Sequence, residues 1–330
     1  MAIRKVDYLY RSITPLNTIA PIVSGVGTVG ETLTATKGAW LNAFLVVGQW
    51  YSNGTPLSGE NNLTYTVTAA TNGSLLYYKE TTHPSTATVS SNVIGSWTPA
   101  EIATAAWFDA SDTGTITESG GSVSQWDDKS GNDKHATQGT GAKQPVVGSN
   151  TINGSSSISF NGASNALTTV LTQLSTASIY IVANAQSKGT NQDSNLLGAA
   201  TSYNSGGAFV STQEYGSGNA SEVVFYTSSL PVQQKYFNGN QLPFTETFDP
   251  AIHYHEVTNA TTESLPYTLG NRNATNSSSG FKGDVGEVLI FNSVHDSATR
   301  QRVEGYLAWK WGLQANLPAN HPYKNGAPTL

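Results

Sequence analysis

The sequence has no cysteine, and this absence excludes a disulfide framework and any thiolate metal site. It is also poor in charge: Asp, Glu, Lys and Arg make up 12% of its 330 residues, and the net charge is −6. Nucleic-acid binding is therefore not expected, because it needs a basic face that neutralises phosphates. No apolar run in the sequence approaches the roughly 20 residues that span a bilayer, so no membrane partner is expected either.

An export signal is the next feature that the sequence lacks. The first residues, MAIRKVDYLYRSITPLN, have a basic start but no apolar stretch of the kind that forms the centre of a secretory signal. We therefore expect a protein that is made and assembled inside a cell.

Gly, Ser, Thr and Asn are abundant, and they occur within short segments in which apolar and polar residues alternate. This alternation is typical of half-buried strands, so the sequence predicts an all-β protein. Asn-Gly pairs, which favour tight hairpin turns, separate several of these segments at positions 53–54, 72–73, 153–154, 161–162 and 238–239.

One stretch, residues 283–323, combines a predicted strand, a helix and a closing tail. Residues 286–291 form a short apolar run typical of a buried strand. Asp296 is a suitable N-cap and Gly312 a suitable C-terminal stop, which predicts a helix over 296–312. Its apolar and amphipathic side chains fall on one face that needs a sheet to cover, namely Val303, Tyr306, Leu307, Lys310 and Trp311.

Changes in pattern along the chain predict four parts. Residues 1–20 are interpreted as an N-terminal arm, in which apolar and basic residues mix before Pro15. Residues 21–95 form a small β-domain, for which we predict Trp50 as the central core aromatic. A linker with one helical turn is predicted for 96–105, and a larger β-domain for 106–330.

Two segments of the larger domain carry a family resemblance. The sequences "GDVGEVLIFN…RQRVEGYLAWKWGL…LPANHPY" and "AAWFDASDTGTITESGGSVSQWDDKSGNDKHATQ" resemble the closing and opening parts of concanavalin-like (laminin-G-like) domains. The smaller domain, particularly "PIVSGVGTVGETLTATKGAW", resembles immunoglobulin-like domains of bacterial surface and phage proteins. The resemblance implies a small immunoglobulin-like β-sandwich, then a concanavalin-like jelly-roll sandwich with one C-terminal helix.

Concanavalin-like domains are frequent in bacterial surface proteins and bacteriophage virions, and they include lectins, hydrolases and structural modules. Together with the missing export signal, the resemblance leads to a non-enzymatic virion protein, a capsid decoration or fibre, assembled in the host cytoplasm. Its arm or immunoglobulin-like domain would attach to other virion proteins of the capsid shell, and the larger domain would be displayed. A homo-oligomer is expected, and a trimer is the particular assembly that we predict.

Two other functions remain open. The first alternative is a carbohydrate-binding adhesin or receptor-binding protein of a phage tail or bacterial surface. The second is a glycoside hydrolase, which needs two carboxylates on either side of the scissile bond. Adjacent Asp127 and Asp128 would face opposite ways on a strand. The remaining candidate acids each stand alone in the sequence: Glu222, Glu246 and Glu256. We therefore expect no enzyme.

Hard oxygen ligands of the kind that calcium prefers occur in two short stretches. They are Asp109, Asp112, Asp127, Asp128, Asn132 and Asp133. The resemblance implies that "WDDKSGND" stabilises a turn in this family and in some members lies near a metal. The favoured interpretation is an Asx-type turn, with calcium as the alternative and no other cofactor. His253 and His255 share a predicted strand face but lack an evident third ligand, so a transition-metal site is not expected.

Aromatic residues near Asn-rich loops are the candidate glycan-binding residues. They are Tyr203, Tyr215, Tyr226, Tyr236 and Phe237. Such rings can stack on a sugar face at the rim of a sandwich, or they can alternate into the core. The sequence leaves both interpretations open.

Overall fold

A computed structural model describes residues 14–25, 27, 29–71, 74–83, 86–91, 94–95, 97–185, 193–199, 208–213, 235–241, 250–257, 265–273 and 280–328. These residues form antiparallel strands and one C-terminal α-helix, which confirms the predicted all-β fold. The chain divides into two compact units. Unit 1 comprises residues 1–97 and 327–330, and unit 2 comprises residues 98–326. The division lies within the predicted linker, where Pro99–Glu101 form the expected helical turn.

The strands of unit 1 among the described residues are β1 (Leu16–Ile19), β2 (Ile22–Ser24), β3 (Thr32–Thr36), β4 (Ala39–Leu41), β5 (Leu45–Ser52), β6 (Thr55–Pro56), β7 (Thr64–Thr66), β8 (Leu76–His83) and β9 (Thr88–Ser90). They form three small sheets, ordered β1-β4, β2-β3-β7 and β6-β5-β8-β9.

The last part of the predicted arm contains a strand. Residues 16–19 form β1, and β1 pairs with β4, so this part of the chain belongs to the sheet structure of unit 1. The pairing of Asn17 with Trp40 joins residues 23 positions apart, and no local sequence pattern indicates a contact over that distance. Residues 1–13 of the predicted arm lie outside the described residues.

Trp50 lies at the centre of the unit 1 core, as predicted. It is fully buried, and its ring centroid is 5.7 Å from that of Tyr65 and 5.4 Å from that of Tyr78. The indole Nε1 donates a hydrogen bond of 2.8 Å to the carbonyl oxygen of Asn62. Because the polar edge of the ring is satisfied, the whole side chain can be buried without an unpaired donor.

Unit 2 contains one hydrogen-bonded sheet of 15 strands with α1 (Ser297–Lys310). Its described strands are β10 (Ala106–Asp109), β11 (Ile116–Ser119), β12 (Ser122–Trp126), β13 (Ala136–Thr137), β14 (Val146–Ile152), β15 (Ser155–Asn161), β16 (Leu167–Thr172), β17 (Ala177–Ala185), β18 (Asp193–Ala199), β19 (Ala208–Gln213), β20 (Lys235–Phe237), β21 (Asn240–Gln241), β22 (Ala251–Val257), β23 (Pro266–Leu269) and β24 (Lys282–Phe291).

Strand β24 is the centre of this sheet. It pairs with β15 at its beginning, with β17 along most of its length and with β10 near its end. All of its residues except Lys282 are buried, which accounts for the apolar run in the sequence.

Three of the Asn-Gly pairs form the predicted hairpin turns. In the pairs at 53–54, 153–154 and 238–239 both residues have positive φ, with values of 47–48° for Asn and 78–86° for Gly. These turns connect β5 to β6, β14 to β15 and β20 to β21. Asn tolerates the left-handed region better than most residues, so the pairs suit a two-residue hairpin. The pair at 72–73 lies outside the described residues.

Helix α1 starts and stops close to the predicted positions. Asp296 is its N-cap and accepts a 2.7 Å hydrogen bond from the backbone N–H of Thr299, as expected. Gly312, with φ of 66°, follows the last turn. Val303, Leu307 and Trp311 are buried, so the predicted face does cover the sheet. In the described part of the chain, no helix is long and apolar enough to cross a membrane.

Candidate functional site

Two buried carboxylates lie side by side where β10 meets β24. Asp109, the last residue of β10, is paired in register with Glu287. Directly paired residues of antiparallel strands place their side chains on the same face of the sheet. Glu287 is fully buried and Asp109 is only 3% exposed. Two neighbouring carboxylates at such depth need cations or hydrogen-bond donors as partners.

Two lysines supply those cations. The Nζ atom of Lys310, on α1, lies 2.7 Å from Asp109 Oδ2 and 2.7 Å from Glu287 Oε2. The Nζ atom of Lys129 lies 2.9 Å from Asp109 Oδ2 and 2.8 Å from Oδ2 of Asp112. Three carboxylates and two ammonium groups therefore form one chain of ion pairs, which we call the helix-anchoring network.

Aromatic donors complete the surroundings of Glu287. Indole Nε1 atoms of Trp107 and Trp311 each donate a 2.7 Å hydrogen bond, to Oε1 and Oε2 respectively. The hydroxyl of Tyr306 donates to Oε1 at 3.0 Å. Trp311 also packs over Gly286, where an added Cβ would lie 2.7 Å from the indole ring. Glu287 is thus fully engaged by the helix and by β10.

The two paired carboxylates have pKa values shifted in opposite directions. Burial raises the pKa of Glu287, and the nearby Lys310 ammonium offsets only part of this effect. Burial alone would raise the pKa of Asp109 too, but Lys310, Ser111 and Lys129 lower it below its usual value. Burial also raises the pKa of Tyr306 well above its ordinary value, so this hydroxyl stays a donor.

Two neighbouring carboxylates whose pKa values are shifted in opposite directions also occur in the active sites of acid–base enzymes. Access of a substrate to this pair therefore decides whether it could act in catalysis. Both oxygens of Glu287 are occupied by N–H and O–H donors, and the residue has no exposed surface. A substrate would have to displace α1 to reach it. In this conformation the helix-anchoring network holds α1 on the sheet.

The sequence alone does not indicate this role for Glu287 or Lys310. The available signal was a single acidic residue within the apolar run at 286–291, since a buried charge in a strand needs a partner. The predicted catalytic candidates are placed elsewhere. Glu256 is 6% exposed on β22, and burial raises its pKa. Glu222 and Glu246 lie outside the described residues.

Asp128 organises the predicted turn. Its Oδ1 accepts hydrogen bonds from the backbone N–H groups of Trp107 (2.8 Å) and Ser130 (2.9 Å). Its Oδ2 accepts from the Ser130 hydroxyl at 2.7 Å and from the backbone N–H of Lys134 at 3.0 Å. The hydrogen bond from the backbone N–H of Ser130 to the side chain of Asp128, two positions earlier, defines an Asx turn. The Asx-turn interpretation is therefore confirmed for Asp128.

The other predicted calcium ligands have separate partners. Asp109 and Asp112 contact Lys129, and Asp127 accepts a 2.7 Å hydrogen bond from Gln125 Nε2. Asn132 donates through Nδ2 to the Thr104 carbonyl at 2.7 Å, and the side chain of Asp133 is 91% exposed. Across the described ranges, no three acidic or histidine side chains are gathered in a way that could hold a metal ion. In this conformation the six residues are engaged in separate contacts, and calcium binding stays a prediction.

His253 and His255 lie in β22 and are buried, with exposed fractions of 4% and 2%. Burial lowers the pKa of His253 to about 3, so its imidazole is neutral near pH 7. The ring of His253 lies 5.1 Å from that of Phe237, which is itself buried. These contacts place His253 and Phe237 in the packed interior.

Tyr236 is the one predicted glycan-binding tyrosine within the described residues. The guanidinium of Arg300 lies 3.5 Å from the centre of its ring, and the ring of Tyr254 lies 5.8 Å away. Arg300 also forms a 2.6 Å ion pair with Glu304 on the same helix. Tyr236 thus joins β20 to α1. Tyr203, Tyr215 and Tyr226 lie outside the described residues.

A cavity of about 440 Å³ opens beside the helix-anchoring network. Its lining includes Glu101, Thr104, Trp107, Lys129, Asn132 and Asn292. Trp107 and Lys129 belong to both the cavity and the network, and the Lys129 ammonium lies 5.0 Å from the centre of the Trp107 ring. The cavity therefore offers one aromatic edge, amide groups and a lysine whose charge is already paired.

Comparison with known proteins gives little further information. No protein-family model matches the chain, and no curated protein matches it in sequence. Among solved structures, the secreted serine protease VesC from Vibrio cholerae aligns with 6% identity and a TM-score of 0.15. The alignment covers 84% of this chain and 49% of the protease, so the chain spans about half the length of that structure. At this TM-score the likeness carries no argument about fold or activity.

Proposed function

We propose that this chain is a non-enzymatic structural protein of a bacteriophage particle, a capsid decoration or fibre protein. In this proposal unit 1 attaches to the capsid shell, and unit 2 is displayed on the particle surface. The observation that carries the non-enzymatic part is the engagement of Glu287. The buried carboxylates of Asp109 and Glu287 both bind Lys310, and Glu287 also accepts hydrogen bonds from the indole N–H groups of Trp107 and Trp311.

A glycosidase needs its two carboxylates open to a sugar and to water. In unit 2 the carboxylates of Asp109 and Glu287 lie beneath α1, and Glu287 has no exposed surface. Their charges stabilise the attachment of the helix to the sheet. The particle assignment rests on the resemblance of residues 105–138 and 283–323 to domains that are frequent in virions.

Purified particles test this proposal. Particles from cells that carry the coding sequence are banded on a density gradient, and the amount of the chain relative to the shell protein is measured by mass spectrometry. We expect a fixed ratio that survives a second gradient. Detection of the chain only as free protein would contradict particle association. Release of reducing sugars from a polysaccharide panel by the wild-type chain would contradict the non-enzymatic role.

The second candidate is a carbohydrate-binding adhesin of a phage tail or bacterial surface. The cavity favours it, because Trp107 offers an aromatic edge and Asn132 and Asn292 offer amides, which suits a polyhydroxylated ligand. A glycan array probed with wild-type protein and with Asn292→Ala tests this function. Binding that the substitution abolishes supports the adhesin, and absence of binding on the whole array counts against it.

A further inference from the structure

The cavity beside the helix-anchoring network has an acidic side chain on its wall. Its volume of about 440 Å³ lies in the size range of small-ligand sites. Two charged side chains line it, Glu101 and Lys129. The Lys129 ammonium already binds Asp109 and Asp112. Glu101 is exposed and, among the described residues, has no cation within ion-pair distance. The charge that the wall offers to a ligand is therefore negative.

A buried acid lies directly behind this wall. Asp128 is 8% exposed, and its Oδ1 accepts hydrogen bonds from the backbone N–H groups of Trp107 and Ser130. Both of these residues line the cavity. In the part of the chain that the structure describes, only N–H and O–H groups contact the Asp128 carboxylate, so no cation neutralises it. Because charges interact over several ångströms in a protein interior, this carboxylate adds to the negative potential in the cavity.

The balance of charge around the cavity is negative. The wall, the acid behind it and the helix-anchoring network hold two ammonium groups, on Lys129 and Lys310, against five carboxylates. The carboxylates are those of Glu101, Asp109, Asp112, Asp128 and Glu287. Burial raises the pKa of Glu287, but the remaining acids outnumber the lysines even when this one is protonated. A cleft of one sign concentrates ligands of the opposite sign.

Neutral groups of the lining suit the rest of such a ligand. Asn132 donates through Nδ2 to the Thr104 carbonyl, which leaves its Oδ1 to accept from a ligand hydroxyl. Asn292 is exposed and supplies a second amide. An indole ring attracts cations, and the Lys129 ammonium already lies 5.0 Å from the centre of the Trp107 ring. The lining thus combines amides and an aromatic edge with negative charge.

We propose that this cavity binds a saccharide that carries a primary ammonium group, with the ammonium beside Glu101 and sugar hydroxyls on Asn132 and Asn292. This inference rests on the carbohydrate-binding function, the second candidate above, and names its ligand class. A neutral sugar gains only the hydrogen bonds of the amides, and an anionic sugar is repelled by the surrounding carboxylates.

Three tetrasaccharides test the role of the ammonium group. Tetramers of glucosamine, N-acetylglucosamine and glucose with the same linkage differ at one ring carbon, which carries an ammonium, an acetamide or a hydroxyl. Binding to the full chain is measured by calorimetry at slightly acidic pH, in EDTA and at low salt. We expect the glucosamine tetramer to bind about 10-fold more tightly than the other two. This advantage should shrink as salt is added, because salt screens the carboxylates.

Two variants should change the affinity in opposite directions. Glu101→Gln removes a negative charge from the wall and should weaken binding of the glucosamine tetramer about 2- to 5-fold, as for an exposed ion pair. Lys129→Met removes a positive charge from the same wall and should strengthen binding. Glu31→Gln, the same change at an exposed position of unit 1, is the control and should bind like wild type. Thermal unfolding checks that each variant is folded.

Equal binding of the three tetramers would overturn the preference for an ammonium group and leave the carbohydrate-binding function standing. Unchanged affinity in Glu101→Gln, or weaker binding in both variants of the wall, would overturn the assignment of the cavity. Binding that requires calcium in place of EDTA would overturn it in favour of a metal-mediated site. Binding of N-acetyl-lysine amide but of no tetramer would overturn it in favour of a peptide. Absence of binding to every sugar on the glycan array would count against the carbohydrate-binding function itself.

Discussion

The Nζ atom of Lys310 lies 2.7 Å from Oε2 of Glu287, a residue with no exposed surface. This ion pair joins the last turn of α1 to the central strand β24. It draws Asp109 and, through it, Lys129 and Asp112 into one helix-anchoring network. The charged side chains of this network therefore hold α1 on the sheet of unit 2.

The first prediction concerns the carboxylate at the centre of this network. Glu287→Gln keeps the shape but removes the charge, and leaves Lys310 near an amide. Breaking a buried ion pair from one side costs about 3–5 kcal/mol of unfolding free energy. Urea unfolding of the full chain measures this loss of unfolding free energy. Hydrogen exchange in residues 282–291 then shows whether the protection of β24 falls with it. Glu101→Gln, at an exposed position of the same unit, is the control and should change little.

The second prediction compares the two lysines of the network. Their side chains are similarly exposed, 21% for Lys310 and 25% for Lys129. Lys310 contacts two buried carboxylates, whereas the second partner of Lys129 is Asp112, which is 46% exposed. Because exposed pairs contribute about 1 kcal/mol or less, Lys310→Met should destabilise unit 2 more than Lys129→Met. Equal losses in urea unfolding would argue against the central position of Lys310.

The third prediction is a pH dependence. Burial lowers the pKa of His253 from 6.5 to about 3, so the unfolded chain binds a proton between these values and the folded chain does not. Stability should therefore fall as the pH drops below 6.5, by up to about 1.4 kcal/mol per pH unit from this residue. At higher pH both states are neutral, and the effect vanishes.

The measurement is urea unfolding of wild type and His253→Leu at several pH values from 7.5 to 4.5. The difference in unfolding free energy between the two proteins isolates the histidine from the carboxylates, which titrate in both. The His253→Leu curve should be flatter than the wild-type curve between pH 6.5 and 4.5. Parallel curves for wild type and His253→Leu would mean that His253 takes up its proton over the same pH range in the folded and unfolded chains, which would contradict the prediction.

The fourth prediction concerns the core of unit 1. Trp50→Ala removes a fully buried indole between Tyr65 and Tyr78 and should cost about 3–5 kcal/mol. If the two units are stable separately, hydrogen exchange should accelerate in residues 45–52 and 76–83 while residues 282–291 stay protected. Equal acceleration in all three segments would mean that the units unfold as one.

Local patterns predicted much of the fold and little of the site. The apolar run at 286–291, the cap at Asp296 and the Asn-Gly turns are short-range signals, and each was sufficient to predict its element. The network depends on strand register between Asp109 and Glu287, which lie far apart in sequence, and on the position of Lys310 above them. No local pattern encodes such long-range pairing. Strand β1, within the segment predicted as an arm, was missed for the same reason, because it pairs with β4 and not with a neighbouring segment.

The central claim, that this chain is a structural part of a particle, is tested most directly by imaging. Electron cryomicroscopy of wild-type particles and of particles lacking the coding sequence gives a difference map. Our account predicts difference density at symmetry-related positions, into which unit 1 fits at the shell and unit 2 fits outside it. Identical maps from the two preparations, with the chain present in the lysate, would contradict the account.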